Sequence, residues 1–109
     1  MSTEKSQIAP AYGIAFNEGI LDEATANRYG ELVVPIIEQY GGRFIIADTK
    51  PIVLEGKLPS GRLTMVEFPS MERAKAWYNS PEYAPVHALV PAAYSGRLIM
   101  FVEGLKTTE

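Results

Sequence analysis

His87 is the only histidine in 109 residues, and histidine is the side chain that titrates near neutrality without help. On a helical turn it shares a face with Tyr83 and Val90, and Tyr94 continues the line. An imidazole beside a tyrosine hydroxyl can move a proton and steady an oxyanion, the two tasks that enolisation or isomerisation requires. The plainer alternative is a partly exposed histidine beside a rim of tyrosines. Glu67 is the second candidate, because it alternates with Leu63 and Met65 in an apolar run, where a carboxylate must be paired, hydrated or protonated. Arg43 and Arg97 each open a strand and are its candidate partners. In a pocket Glu67 would serve as a base, and beside an arginine as a clamp or a structural ion pair. Tyr78 carries a hydroxyl that needs a partner when buried and can border a pocket, whereas its neighbour Trp77 reads as core packing. The candidate catalytic residues are therefore His87 and Glu67, with Arg43, Tyr78, Tyr83, Tyr94 and Arg97 as ligand-binding candidates.

Other chemistries find little support. With no cysteine, disulfides, thiolate catalysis and zinc-thiolate sites are excluded, and neither a metal site nor a cofactor is expected. Gly41-Gly42 has neither the spacing nor the lysine of a phosphate loop and reads as a helix stop. A net charge of −3 and a pI near 5.2 argue against a basic phosphate-binding surface, so nucleic acid is not an expected partner. No apolar run approaches the roughly 20 residues of a membrane span. The segment Met1 to Gln7 lacks the hydrophobic core of a secretion signal, which makes the expected location cytoplasmic.

The elements that must position these residues follow from period and capping. Residues 1–7 read as a polar lead-in and 106–109 as a tail, leaving one domain over 8–105. From Ile8 to Asn17 the chain alternates, with Tyr12, Ile14 and Phe16 on one face and Ala11, Gly13, Ala15 and Asn17 on the other. Asp22 caps a helix running to about Tyr40, with Tyr29, Leu32, Val33, Ile36 and Tyr40 as its buried stripe and a kink expected at Pro35. Arg43 to Ala47 and Pro51 to Glu55 read as two strand pieces or one bent strand, followed by a polar loop and the strand Leu63 to Phe68. Ser70 caps a helix with Met71, Ala74, Trp77 and Tyr78 on its apolar face, and Ser80-Pro81 is a second capped start. The proline-dense stretch Pro81 to Pro91 cannot be one regular helix, and Arg97 to Glu103 closes the chain as a strand that is apolar on both faces. The order is β-α-β-β-α-β, an α+β split βαβ arrangement.

The segments Tyr40-Gly41-Gly42-Arg43-Phe44, Phe68-Pro69-Ser70-Met71, Ala74 to Tyr83 and Arg97 to Gly104 together resemble the domain of unknown function 1330 family. The similarity runs from about Ala11 to Gly104. It implies a ferredoxin-like domain of the dimeric α/β barrel superfamily, with helices on one face of an antiparallel sheet, and it implies no agreed activity. Where relatives commonly carry a basic residue followed by Ala-Leu-Arg, this chain has His87-Ala88-Leu89-Val90 and then Pro91. If that arginine holds an anion in relatives, its role here is absent or has moved to Arg43 or Arg97. Haem ligation, known in the wider superfamily, draws little support from one histidine with no second motif.

A four-stranded sheet with helices on one side leaves its other apolar face open, and pairing of identical chains is the common way to cover it. A homodimer is therefore expected, with a pocket in each subunit between sheet and helices or near the barrel interior, suited to a small organic ligand. The leading functional expectation is binding of a small, partly apolar metabolite, with cofactor-independent isomerase or lyase chemistry by proton transfer as its enzymatic form. The alternatives are a non-catalytic carrier or sensor, an accessory dimer that docks another protein, and a cofactor-free monooxygenase.

Overall fold

A computed structural model describes residues 7–108. Its elements are β1 (Gln7–Ile8), β2 (Ala11–Asn17), α1 (Glu23–Gln39), β3 (Arg43–Thr49), β4 (Arg62–Phe68), α2 (Met71–Tyr78), α3 (Ala84–His87), α4 (Val90–Ala93), β5 (Arg97–Glu103) and β6 (Thr107–Thr108). The main sheet has the order β3-β4-β2-β5 with antiparallel pairing throughout, which is the ferredoxin-like topology. β2 is a central strand because it pairs along its whole length with both β4 and β5, Asn17 standing opposite Arg62 on one side and Arg97 on the other.

The caps explain where the helices begin. Asp22 accepts a hydrogen bond from the Thr25 amide at 3.1 Å, and Ser70 accepts one from the Arg73 amide at 3.2 Å, each supplying an acceptor that a first helical turn lacks. α1 runs through Pro35 as one element and stops at two glycines for different reasons. Gly41 takes the left-handed conformation at φ 88°, while a methyl on Gly42 would lie 2.4 Å from the Ile37 side chain. Ser80 accepts from the Tyr83 amide at 3.1 Å, and the proline-rich stretch beyond it forms the short turns α3 and α4, each with a proline in its first turn.

One sequence expectation changes. The expected strand over Pro51 to Glu55 does not form: β3 ends at Thr49, after Asp48 adopts a left-handed φ of 52°, and residues 50–61 cross to β4 as irregular chain. A proline at 51 adds no ladder donor to prolong the strand. Outside the main sheet, Gln7–Ile8 pairs antiparallel with Thr107–Thr108. Residues 1–6 and 109 lie outside the described residues.

The core sits between the sheet and the helices. Phe68 and Trp77 stack with ring centroids 5.8 Å apart, and Ala74, without exposed surface, allows α2 to approach the sheet closely. Tyr83 is fully buried and packs on Trp77 at 4.5 Å. Burying three large aromatic side chains in one cluster is worth several kcal/mol at roughly 25 cal/mol per Å² of apolar surface. The opposite face of the sheet is left apolar and open, with Leu98 55 %, Met100 44 % and Val102 43 % exposed along β5.

Candidate functional site

The alternation of β2 turns Gly13, Ala15 and Asn17 toward the helices, and the first two are too small to fill the space beneath α1. The result is a cavity of about 310 Å³ between sheet and helix. Its apolar walls include Ile20, Val34, Phe44 and Ile99, and its polar lining includes Asn17, Tyr29, Tyr94 and Arg97. The end of the cavity at Tyr94 and Arg97 is held by backbone bonds between two connections. Glu18 N–H donates to the Gly96 carbonyl at 2.9 Å, Leu21 N–H to Ala93 at 2.8 Å, and Ser95 N–H to Gly19 at 2.9 Å.

Arg97 projects from the first position of β5 into a cluster of phenols. Its Nη2 donates to the Tyr29 hydroxyl at 3.0 Å and approaches the Tyr83 hydroxyl at 3.5 Å, while those two oxygens lie 2.8 Å apart. The guanidinium carbon also lies 5.1 Å from the centre of the Tyr29 ring. Burial works against the charge on Arg97, but its contacts with Tyr29 and Tyr83 outweigh that and keep its pKa above the usual value, so it stays a cation. Burial, and then the Tyr29 phenol beside it, push the Tyr83 hydroxyl far above the ordinary tyrosine range. Tyr94 is shifted the same way by burial and Tyr29, with Arg97 opposing and Asp48 adding to the rise.

Polar satisfaction in this region is incomplete. Among the described residues, the buried side-chain polar atoms without a hydrogen-bond partner are Asn17 Oδ1, Trp77 Nε1, and Nε and Nη1 of Arg97. All three residues line the cavity. A guanidinium whose Nε and Nη1 are buried without an acceptor, and which has no carboxylate partner among the described residues, is an expensive arrangement, and such groups in native proteins call for an explanation. The lining therefore offers a fixed cation, a carbonyl acceptor, an indole donor and phenolic hydroxyls around an apolar space.

The structure separates the residues singled out from sequence. Arg97 and Tyr94 line the cavity, and Tyr83 supports Arg97 from behind through its hydroxyl. His87 is exposed on α3 and lies outside the lining; its ring stacks on the face of Tyr83 at 5.1 Å rather than meeting the hydroxyl, which is turned to Tyr29. Tyr78 packs between His87 and Phe101, also outside the lining. Glu67 stands on the open face of the sheet, where Arg43 forms an ion pair with one carboxylate oxygen and Tyr12 donates to the other at 3.2 Å. Arg97 is on the opposite face and is not its partner. Tyr29 and Asn17 also line the cavity, although the sequence presents the first as part of an apolar helix stripe and the second as a strand end. A tyrosine inside such a stripe is the one available signal, since its hydroxyl must be satisfied where it is buried.

Among the described residues no cluster of three or more His, Cys, Asp or Glu side chains is placed to hold a metal, and no helix is long and apolar enough to cross a membrane.

Comparison with known proteins agrees with this architecture. The family described as domain of unknown function (DUF1330) matches residues 10–105, and the chain belongs to it. A protein of unknown function from Rhodopseudomonas palustris is similar with a TM-score of 0.70 at 15% identity, covering 95% of this chain and 89% of the other. A hypothetical protein from Arabidopsis thaliana superposes with a TM-score of 0.61 at 13% identity over 100% of both chains. A protein from Bacteroides fragilis, described as dimeric, of unknown function and ferredoxin-like, gives 0.57 at 10% identity over 86% of this chain and 95% of that one. At these identities the likeness concerns the fold. No curated protein matches the chain.

Proposed function

We propose that this member of the DUF1330 family is a homodimer in which each subunit binds a small organic carboxylate with an apolar body in the cavity between the sheet and α1. The observation that carries the reading is Arg97, a buried cation that faces phenols and an amide and has two donors unused. A carboxylate would give those donors acceptors and the charge a counterion, which are the two things a buried guanidinium lacks here. The apolar walls at Ile20, Val34 and Ile99 suit an aliphatic or aromatic remainder, and about 310 Å³ is at the small end of known ligand sites. Arg97 and Tyr94 are the ligand-contacting residues, with Tyr29 and Tyr83 fixing the guanidinium.

Pairing of two subunits is supported by the open sheet face, where Leu98, Met100 and Val102 of the edge strand β5 are exposed, and by the dimeric description of the Bacteroides fragilis neighbour. A second copy is the partner whose apolar sheet matches by construction.

The test is a thermal-shift series in which each carboxylate is compared with its primary amide. Phenylpyruvate, 4-methyl-2-oxopentanoate and benzoate should raise the melting temperature of the wild-type protein, their amides should not, and Arg97→Met should abolish the response. Equal shifts from acids and amides, or an unchanged response in Arg97→Met, would remove Arg97 as the anchor.

A further inference from the structure

One acidic residue at the cavity has a placement that binding alone does not explain. Asp48 lines the cavity together with Arg97, Tyr94 and Thr64. It is the non-glycine residue with positive φ among the described residues, at 52°, and it lies where the pairing of β3 with β4 shifts register between Ile46 and Thr49. Such shifts re-aim a side chain, and a left-handed backbone persists only where its surroundings hold it. Here they do: the Asp48 amide donates to Thr64 Oγ1 at 2.9 Å, and its carbonyl accepts from Arg62 Nη1 at 3.1 Å. The carboxylate itself makes no hydrogen bond or ion pair among the described residues, so its backbone is pinned while its acceptor oxygens stay available. The field of Asp48 also reaches Tyr94, where it adds to the effect of burial.

We propose that Asp48 is a general base that takes a proton from the carbon next to the carbonyl of a 2-oxo acid anchored on Arg97, making the cavity a site of enolisation. This rests on the carboxylate-binding reading above. The C3–H bond of the 2-oxo acid breaks and its proton passes to the Asp48 carboxylate. The electron pair forms the C2–C3 double bond, and the carbonyl π electrons move onto the C2 oxygen. That oxyanion lies beside the Arg97 guanidinium and the tyrosine hydroxyls, where donors and a fixed cation stabilise developing charge. Return of the proton from Asp48 to C3 restores the oxo acid, and its return to the oxygen gives the enol, so neither route needs an oxidant, a reductant or a cofactor. Glu31 of α1 is the other carboxylate on the lining, but its helical backbone shows no comparable constraint. His87 and Glu67 take no part, since neither lines the cavity.

The experiment follows deuterium entering C3 of phenylpyruvate in D2O by NMR, with the full-length protein and with thermal shift measured on the same samples. Wild type should exchange faster than buffer. Asp48→Asn should lower the enzymatic rate by about 100-fold or more, the ordinary contribution of a positioned base, while keeping its thermal shift. Asp48→Gly, which accepts a left-handed backbone without strain, should do the same and guards against a folding defect. A wild-type protein that is shifted by phenylpyruvate but exchanges no faster than buffer overturns the role of Asp48 and leaves carboxylate binding standing. So does undiminished exchange in Asp48→Asn, or loss of exchange in Glu31→Gln with Asp48→Asn unaffected. Absence of a shift with every carboxylate removes both readings.

Discussion

The hydroxyls of Tyr29 and Tyr83 lie 2.8 Å apart although the residues are 54 positions apart in the chain, one on α1 and the other just before α3. Arg97 Nη2 reaches the same pair from β5. Three elements are thus tied at one polar point inside an otherwise apolar core, and the guanidinium is aimed by groups that do not neutralise it.

That tie should be visible in stability. Tyr83→Phe leaves Tyr29 bonded to Arg97 and is expected to cost about 1 kcal/mol, whereas Tyr29→Phe also removes the nearer of the two acceptors of Arg97 and should cost about 2–3 kcal/mol. The double variant should cost less than the sum of the two, because each single change already breaks the shared bond. Urea unfolding of the four proteins measures this coupling.

The phenols also set a pH limit. With its folded pKa raised above the unfolded value, Tyr83 is neutral in both states below pH 10, so it adds no pH dependence there. Above that, the unfolded chain releases a proton that the folded chain retains, and stability falls as pH rises. Tyr94 is shifted in the same direction. Stability should therefore be level between pH 7 and 9 on account of these groups and decline from about pH 10 upward, with a shallower decline in Tyr83→Phe. Denaturant midpoints across that range, with phenolate absorbance of the folded protein, provide the check.

Arg97→Met separates stability from binding. Replacing an uncompensated buried cation with an apolar side chain is expected to leave the free protein as stable as wild type or more so, within about 1–2 kcal/mol. Loss of carboxylate binding without loss of stability is the signature of a residue kept for its ligand rather than for the fold. Chemical denaturation of the ligand-free proteins reads the first half of this directly.

The open face of β5 should respond to charge. Met100→Lys places an ammonium between the exposed Leu98 and Val102 of β5, on the apolar face proposed to pair, and light scattering should show monomer where wild type is a dimer. A wild-type monomer in dilute solution would contradict the pairing.

Gly42 tests the helix stop. Its Cβ position meets Ile37, Phe68 and Val66 at 2.4, 3.0 and 3.0 Å, so Gly42→Ala should destabilise by about 1–3 kcal/mol through overpacking. Gly41→Ala should cost about 1 kcal/mol for its positive φ. Thermal or urea unfolding distinguishes the two.

Much of the fold could be read from local chemistry. Asp22 and Ser70 are caps with one evident acceptor each, and strand alternation in β2 separates its two faces correctly, because these signals act within a few residues. The site was legible only in part. Arg97 stands out in the sequence as a charge opening an apolar strand and Tyr94 as a phenol continuing the helical line of His87, but the placing of His87 on the solvent side of Tyr83 depends on how α3 packs. Tyr29 looked like one more member of an apolar stripe, since its partner lies on another element. Asp48 falls in the gap between the two strand pieces read over 43–55 and carries no local signal, because the register shift that brings it to the cavity arises from pairing between β3 and β4.

Calorimetric titration of phenylpyruvate into wild type and Arg97→Met tests the carboxylate site most directly. The expected result is saturable binding at one site per subunit in wild type, weakened at least about thirtyfold in the variant, as for loss of one partner of a buried charge pair. Equal affinity in the two proteins, or no heat of binding in wild type for any of the carboxylates, would contradict it.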